Sequence, residues 1–172
     1  EPFKQWLAQL GRERLEEIDD PEQGIDRIME YYHRKGYSAN WINQRLKSIE
    51  VRKELTDEWE RRGIQKGQQY AILTDVITKG WSGLTTKQYK QFKGLKTESL
   101  RDNMTNLELV LNMLAEASTT EISQKEEPET FEHSKQIAHR GGKVAGAARK
   151  ELEAQTGQKV VSPLSAKKVL KK

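Results

Sequence analysis

The chain has 172 residues, of which 33 % are charged and 34 % hydrophobic, with a net charge of +4. That balance suits a helical protein with thin cores. The absence of cysteine excludes disulfides, thiolate metal sites and a cysteine nucleophile. No run approaches the roughly 18 apolar residues of a membrane span, and the expected setting is cytoplasmic, away from any membrane. The charge is unevenly spread. Residues 1–60 carry 10 basic against 14 acidic residues, and residues 61–172 carry 20 against 12, so a polyanion is expected to meet the second half.

In chain order, Phe3, Trp6, Leu7 and Leu10 predict an amphipathic helix running toward Leu15 and Ile18. The start, with core-like residues at once, reads as that of a fragment whose N-terminal part is missing. Asp20 as N-cap, Pro21 at the first helical position and Gln23 as the capping-box partner open a second helix. Its buried face is expected to be Ile25, Ile28, Met29 and Tyr32, and Gly36 ends it. Ser38 caps a third helix with Trp41, Ile42, Arg45, Leu46 and Ile49 on one side. Thr56 is read as restarting the chain into a short helix closed by Gly63.

Residues 64–79 are expected to be helical in spite of the strand-forming run AILTDVIT, and Gly80 to Gly83 to be a turn. Thr85 and Gln88 form a capping box for a short helix bearing Tyr89 and Phe92, ended by Gly94. Leu100, Met104, Leu107, Leu111 and Leu114 recur at helical spacing and predict a central buried stripe, with Leu109 and Met113 off it. Thr105 and Glu108 make a second capping box inside this run, after a short helix from about Glu98. The Glu-rich residues 121–132 read as an exposed connector. Beyond them Gly141, Gly142, Ala145 and their small neighbours predict a helix that approaches another backbone closely. Gly157 ends that helix, residues 159–161 are a short strand or extended piece, and residues 163–170 a final basic helix.

The fold expected is mainly α, about eight helices with at most a short β-pair near the C-terminus. Residues 1–80 form one helical subdomain and residues 81–172 a second. Catalytic signatures are missing: there is no HExxH, P-loop, nucleophile elbow or dinucleotide fingerprint, and the three histidines suit no metal site. No enzyme and no cofactor are expected.

The basic residues carry more information. Lys87, Lys90, Lys93, Lys96 and Arg101 follow Lys79, with Trp81, Tyr89 and Phe92 interleaved, and Arg140, Lys143, Arg149 and Lys150 form a second group. Such a stripe neutralises phosphates, and the aromatics would stack on unpaired bases. The other reading is that Tyr89 and Phe92 are core and the lysines solvate the opposite face.

The segments KGL at Lys93 to Leu95, RDNMTNLEL at Arg101 to Leu109 and AEASTT at Ala115 to Thr120 resemble the C-terminal region of the bacterial DNA-damage-inducible protein D family. HRGGKVAGAARKELEAQTGQKVVS, from His139, resembles the same proteins' closing region, so the likeness covers about residues 60–165. The opening PFKQWLA is similar to the end of the Bro-type N-terminal domain shared with phage antirepressors. The resemblance implies a non-enzymatic regulator in the DNA-damage or prophage setting, and no catalytic residues. Its partners would be DNA, single- or double-stranded, a recombinase–DNA filament or a phage repressor. The alternative is an oligomerisation module, a homo-oligomer serving a separate DNA-binding domain.

Overall fold

The structure, a computed structural model, describes residues 2–20 and 22–166. Among these residues all regular structure is helical, in seven α-helices and one 3-10 turn, and there is no strand. The short β-pair expected near Lys159 is therefore not formed. The Val160 N–H that would have joined a ladder instead donates to Glu153 Oε1 at 3.0 Å. The final helix expected over 163–170 is not helical over 163–165, and 167–170 lie outside the described residues.

The chain divides into two compact units, Glu1–Ile42 and Asn43–Lys172. The boundary expected near residue 80 falls within a helix (Gln68–Ser82) of the second unit. The first unit contains α1 (Pro2–Asp19), α2 (Glu22–Arg34) and the start of α3 (Ala39–Arg61). Asp20 caps α2 as its side chain requires, accepting from the Glu22 N–H at 3.2 Å, while Pro21 lies outside the described residues. Gly36 takes the left-handed φ of 86° that follows α2, and Ser38 Oγ accepts from the Trp41 N–H at the head of α3.

The core of this unit is aromatic: Tyr37 stacks on Trp41 with centroids 4.0 Å apart, and Tyr32 meets both rings edge-on. Phe3, Trp6, Leu7, Leu10, Leu15, Ile18, Ile25 and Ile28, expected to be buried, are exposed. Two helices of this length cannot cover both apolar faces by themselves.

The second unit begins with the rest of α3. This helix does not restart at Thr56, because Thr56 Oγ1 bonds back to the Lys53 carbonyl at 3.0 Å instead of capping a new turn. Gly63, at φ 73°, ends it, with the Ile64 N–H reaching the Trp59 carbonyl at 2.9 Å. There follow α4 (Gln68–Ser82), α5 (Thr86–Phe92), a 3-10 turn (Arg101–Asn103), α6 (Asn106–Glu126) and α7 (Phe131–Thr156). Both capping boxes are present: Thr85 with Gln88 at α5, and Thr105 with Glu108 at α6. The expected connector shrinks to residues 127–130, because α6 runs on through half of the Glu-rich segment before a left-handed Glu127.

The helices α4, α6 and α7 form the centre, and α7 is packed with its backbone against both of the others. A Cβ built on Gly142 would lie 2.8 Å from the Ile77 carbonyl oxygen and 3.0 Å from Gly80 Cα. One on Gly141 would lie 2.8 Å from Thr119 Cα, and one on Gly146 2.5 Å from the Gly80 carbonyl oxygen. The small-residue helix therefore makes its close approach inside the unit. Gly80 is correspondingly not a turn residue but part of the last turn of α4, whose left-handed cap is Gly83.

This closeness decides which face of α6 is buried. The inward positions are Glu108, Leu109, Leu111, Asn112, Ala115, Glu116, Thr119, Thr120 and Ser123. Of the leucine stripe expected to be buried, Leu100, Met104 and Leu111 are, but Leu107 and Leu114 are 42 % and 37 % exposed. Bulky side chains do not fit where α7 comes nearest, so short residues fill the seam. Thr119 and Thr120 turn their hydroxyls onto the carbonyls of Ala115 and Glu116, and Thr74, Thr78 and Ser82 do the same along α4. The hydroxyls are thereby satisfied within their own helices, and methyls and Cβ atoms are left to pack.

Gly142→Ala is expected to cost about 1–3 kcal/mol, as overpacking does. Gly11→Ala, in open space within α1, should instead stabilise by about 0.5–1 kcal/mol. Urea unfolding of the two variants beside the unaltered chain checks both signs.

Candidate nucleic-acid interface

The two basic groups of the sequence part company in three dimensions. Lys87 and Lys96 are exposed and Lys90 is half-buried, and all three line one open groove of about 890 Å³ beside α4 and α5. Its floor includes Ile72, Val76, Leu95 and the ring of Tyr70. Arg52 closes one side, tied to Thr74 Oγ1 at 2.7 Å and to Glu116 Oε1 at 3.2 Å. Burial lowers the pKa of its guanidinium against the pull of Glu116. The three groove lysines make no ion pair among the described residues, and the one carboxylate that lines the groove with them, Asp75, accepts from the Thr86 N–H at 2.7 Å.

Lys93 does the opposite. It is the C-cap residue after α5, one step past the face that Lys87 and Lys90 share, and its side chain is fully buried. Its Nζ meets Glu108 Oε2 at 2.8 Å and donates to the carbonyls of Ser162 and Leu164 at 2.8 and 2.7 Å. Glu108 also accepts from Tyr89 Oη at 2.6 Å and from the Thr105 and Ser162 N–H groups at 2.7 and 3.0 Å. Every lone pair and proton of the pair is thus used, as a charge removed from water requires. Burial lowers the Lys93 pKa, opposed by Glu108, and burial beside that carboxylate raises the phenol of Tyr89. Lys93 is a structural residue and cannot touch a phosphate in this fold.

Trp81, expected as a stacking platform, and Tyr89, read as either a stacking or a core residue, are both 0 % exposed. The Trp81 indole donates to Asn112 Oδ1 at 3.2 Å, and its ring meets Tyr89 edge-on. Both rings belong to the core: Trp81 in the last turn of α4 and Tyr89 on α5 each bond their polar atom to α6, at Asn112 and Glu108. Phe92 is exposed but does not line the groove.

Among the remaining basic residues, Arg101 is held by Glu116 at 2.6 Å. Arg140 grips Glu126 through two bonds of 2.9 and 2.8 Å, which lowers the Glu126 pKa. Arg149 caps the end of α4 by donating to the Trp81 carbonyl at 2.7 Å, and its other nitrogen bridges both oxygens of Glu153 at 3.0 Å. Lys143 and Lys150 are exposed on α7, separate from the groove residues. Arg52, Tyr70 and Asn112 were not singled out by sequence reasoning. Arg52 sits in a helix crowded with charges, and Asn112 looks like a solvated position until its helix is placed.

No group of three or more histidine, cysteine, aspartate or glutamate side chains able to hold a metal ion occurs among the described residues. Nor is any helix among them long and apolar enough to cross a membrane.

The buried pair offers a direct check on these assignments. Lys93→Met leaves Glu108 without its cation and should cost about 3–5 kcal/mol, whereas Lys87→Ala should stay within about 0.5 kcal/mol. Thermal and denaturant unfolding separate the two. Equal stabilities would mean that Lys93 is solvated like its neighbours.

A comparison with curated proteins finds no match to the chain. A protein family described as the DinD C-terminal domain matches residues 40–169, from the start of α3 through the whole α4–α7 assembly and the groove beside it. The chain belongs to the DinD C-terminal domain family.

Proposed function

We propose that this domain is the non-enzymatic binding part of a DNA-damage-response regulator, and that its α4–α5 groove holds a nucleic-acid backbone. One observation carries the reading. Of the basic residues picked out in the sequence, Lys87, Lys90 and Lys96 are gathered in a single groove and make no ion pair among the described residues, whereas Lys93, Arg101, Arg140 and Arg149 are consumed by internal ties. Lysines on the rim and apolar residues with a tyrosine on the floor suit a single strand, its phosphates on the rim and its bases against the floor.

Lys87→Glu with Lys96→Glu should abolish binding to single-stranded DNA in a fluorescence-anisotropy titration while leaving the helical spectrum intact. Removing each single phosphate contact should reduce the slope of log affinity against log salt by roughly 0.7. Lys143→Glu with Lys150→Glu should have a much smaller effect. If the unaltered chain shows no salt-dependent binding to single-stranded, double-stranded or recombinase-coated DNA, the groove is not a nucleic-acid site.

A second reading, self-association, is favoured by one feature. Leu107, Val110 and Leu114 lie at i, i+3 and i+7 on the outer side of α6, each more than a third exposed. Sedimentation velocity over a range of concentrations should then show an oligomer that Leu114→Glu dissociates. A monomer at every concentration sinks this reading.

A further inference from the structure

Next to the groove lies a smaller cavity of about 230 Å³, lined by Arg45, Thr74, Thr78, Thr86, Lys90, Ser99, Leu100, Arg101, Met104 and Asn112. It shares Thr74, Thr86 and Lys90 with the groove, so the two adjoin. Its wall contains three cations and no carboxylate. Asp102 and Glu116, which hold Arg45 and Arg101, are not part of the lining.

Asn112 makes this cavity more than a dent in a basic surface. It is 2 % exposed, and the indole N–H of Trp81, which can only donate, fixes its carbonyl oxygen toward Trp81. The amide nitrogen is thereby committed as a donor on the other side, and no acceptor among the described residues reaches it. A buried donor without an acceptor is costly, and this one belongs to a side chain in the wall of a cation-lined cavity. The Lys90 ammonium is a second donor there with no ion-pair partner among the described residues, and the guanidiniums of Arg45 and Arg101 are pre-set by their own carboxylates.

The volume narrows the ligand. It is several times the roughly 30 Å³ of a water molecule and below the roughly 300–1,000 Å³ of a site that encloses a whole small molecule. A polyoxygen anion fits, with the rest of its molecule left in the groove outside.

We propose that this cavity binds a phosphate monoester, with the Asn112 amide, Lys90 and Arg101 as donors to its oxygens. The monoester is either the terminal phosphate of a strand lying in the groove, which rests on the function proposed above, or the phosphate of a free nucleotide, which does not. In both cases a doubly charged, three-oxygen end is preferred over an internal phosphodiester.

The test uses the full chain and two kinds of titration. Calorimetry with inorganic phosphate and with thymidine monophosphate reads the cavity alone. Anisotropy with one oligonucleotide carrying a 5′-phosphate, a 3′-phosphate or neither reads the strand end. Binding of the monophosphate, or tighter binding of a phosphorylated oligonucleotide, is expected. Lys90→Gln and Asn112→Asp should each weaken that binding about tenfold or more, as loss of a charge-assisted hydrogen bond does. Asn112→Asp keeps an acceptor for Trp81 and replaces the donor by an anion. Lys90 is half-exposed, so its variant serves should the buried substitution unfold the chain. Lys143→Gln should change nothing.

Monophosphate binding without any preference among the oligonucleotides supports the cavity and assigns it to free nucleotides. Oligonucleotide binding that is lost in Lys87→Glu with Lys96→Glu but is indifferent to terminal phosphate, with no heat from either small anion, overturns the cavity and leaves the groove standing. Binding that neither Lys90→Gln nor Asn112→Asp weakens also overturns it.

Discussion

The approach of α7 to the backbones of α4 and α6 is the constraint from which most of the second unit follows. With Gly142 against Gly80 and Ile77, and Gly141 against Thr119, the helices meet at distances where a single methyl has no room. Packing of that kind gains dispersion contacts along whole turns of backbone. It also leaves no room for leucine at the crossing itself, so Ala115 and Thr119 lie there, while Leu109 and Leu111 are buried nearer the start of α6.

Buried charge is the second consequence. An inner face that cannot hold large apolar groups where α7 is nearest still has volume to fill toward its edges, and Glu58, Glu108 and Glu116 fill it, each within reach of a cation. Glu108 ties α6 to α5 and to residue 162, Glu116 ties α6 to α3 and to the 3-10 turn, and Glu58 ties α3 to Ser123 of α6. The hydrogen bonds within these ion pairs are directional where apolar contacts are not. Such pairs fix which helices lie together more than they add net stability. The groove rim is a by-product of the same division. Arginines are absorbed into the ties, and lysines that find no carboxylate are left facing out.

Much of the local structure was legible in the sequence because it depends on short-range chemistry. The Thr85–Gln88 and Thr105–Glu108 capping boxes, the Ser38 and Asp20 caps and the left-handed Gly36, Gly63, Gly94 and Gly157 act within a few residues. The close approach of α7 was also readable, since glycines inside a helix need a reason. What failed was inference from hydrophobic periodicity. It assigned Leu107 and Leu114 to the core and left Leu109 off the stripe, and the pattern of the basic stretch offered Lys93 and Trp81 as contact residues and left Tyr89 between a stacking and a core role. In each case the deciding partner is distant in sequence: α7 for α6, Ser162 and Leu164 for Lys93, Asn112 for Trp81. The groove had a partial signal in the spacing of Lys87 and Lys90. The small cavity had none, because Asn112 gains its meaning only from the indole beside it.

The attachment of residues 162–164 to Lys93 also bears on the order in which the domain assembles. These contacts join positions 69 and 71 apart in the chain, while the Glu108 partner of Lys93 is close in sequence. The segment after Gly157 forms no regular helix through residue 165, and hydrogen bonds to Lys93 and Glu108 tie it to the rest of the unit. Until it docks, the Lys93 ammonium has one of its three acceptors and must keep some of its water. Docking of a short stretch after Gly157 is thus what takes the remaining water from that ammonium and dries the polar heart of the domain.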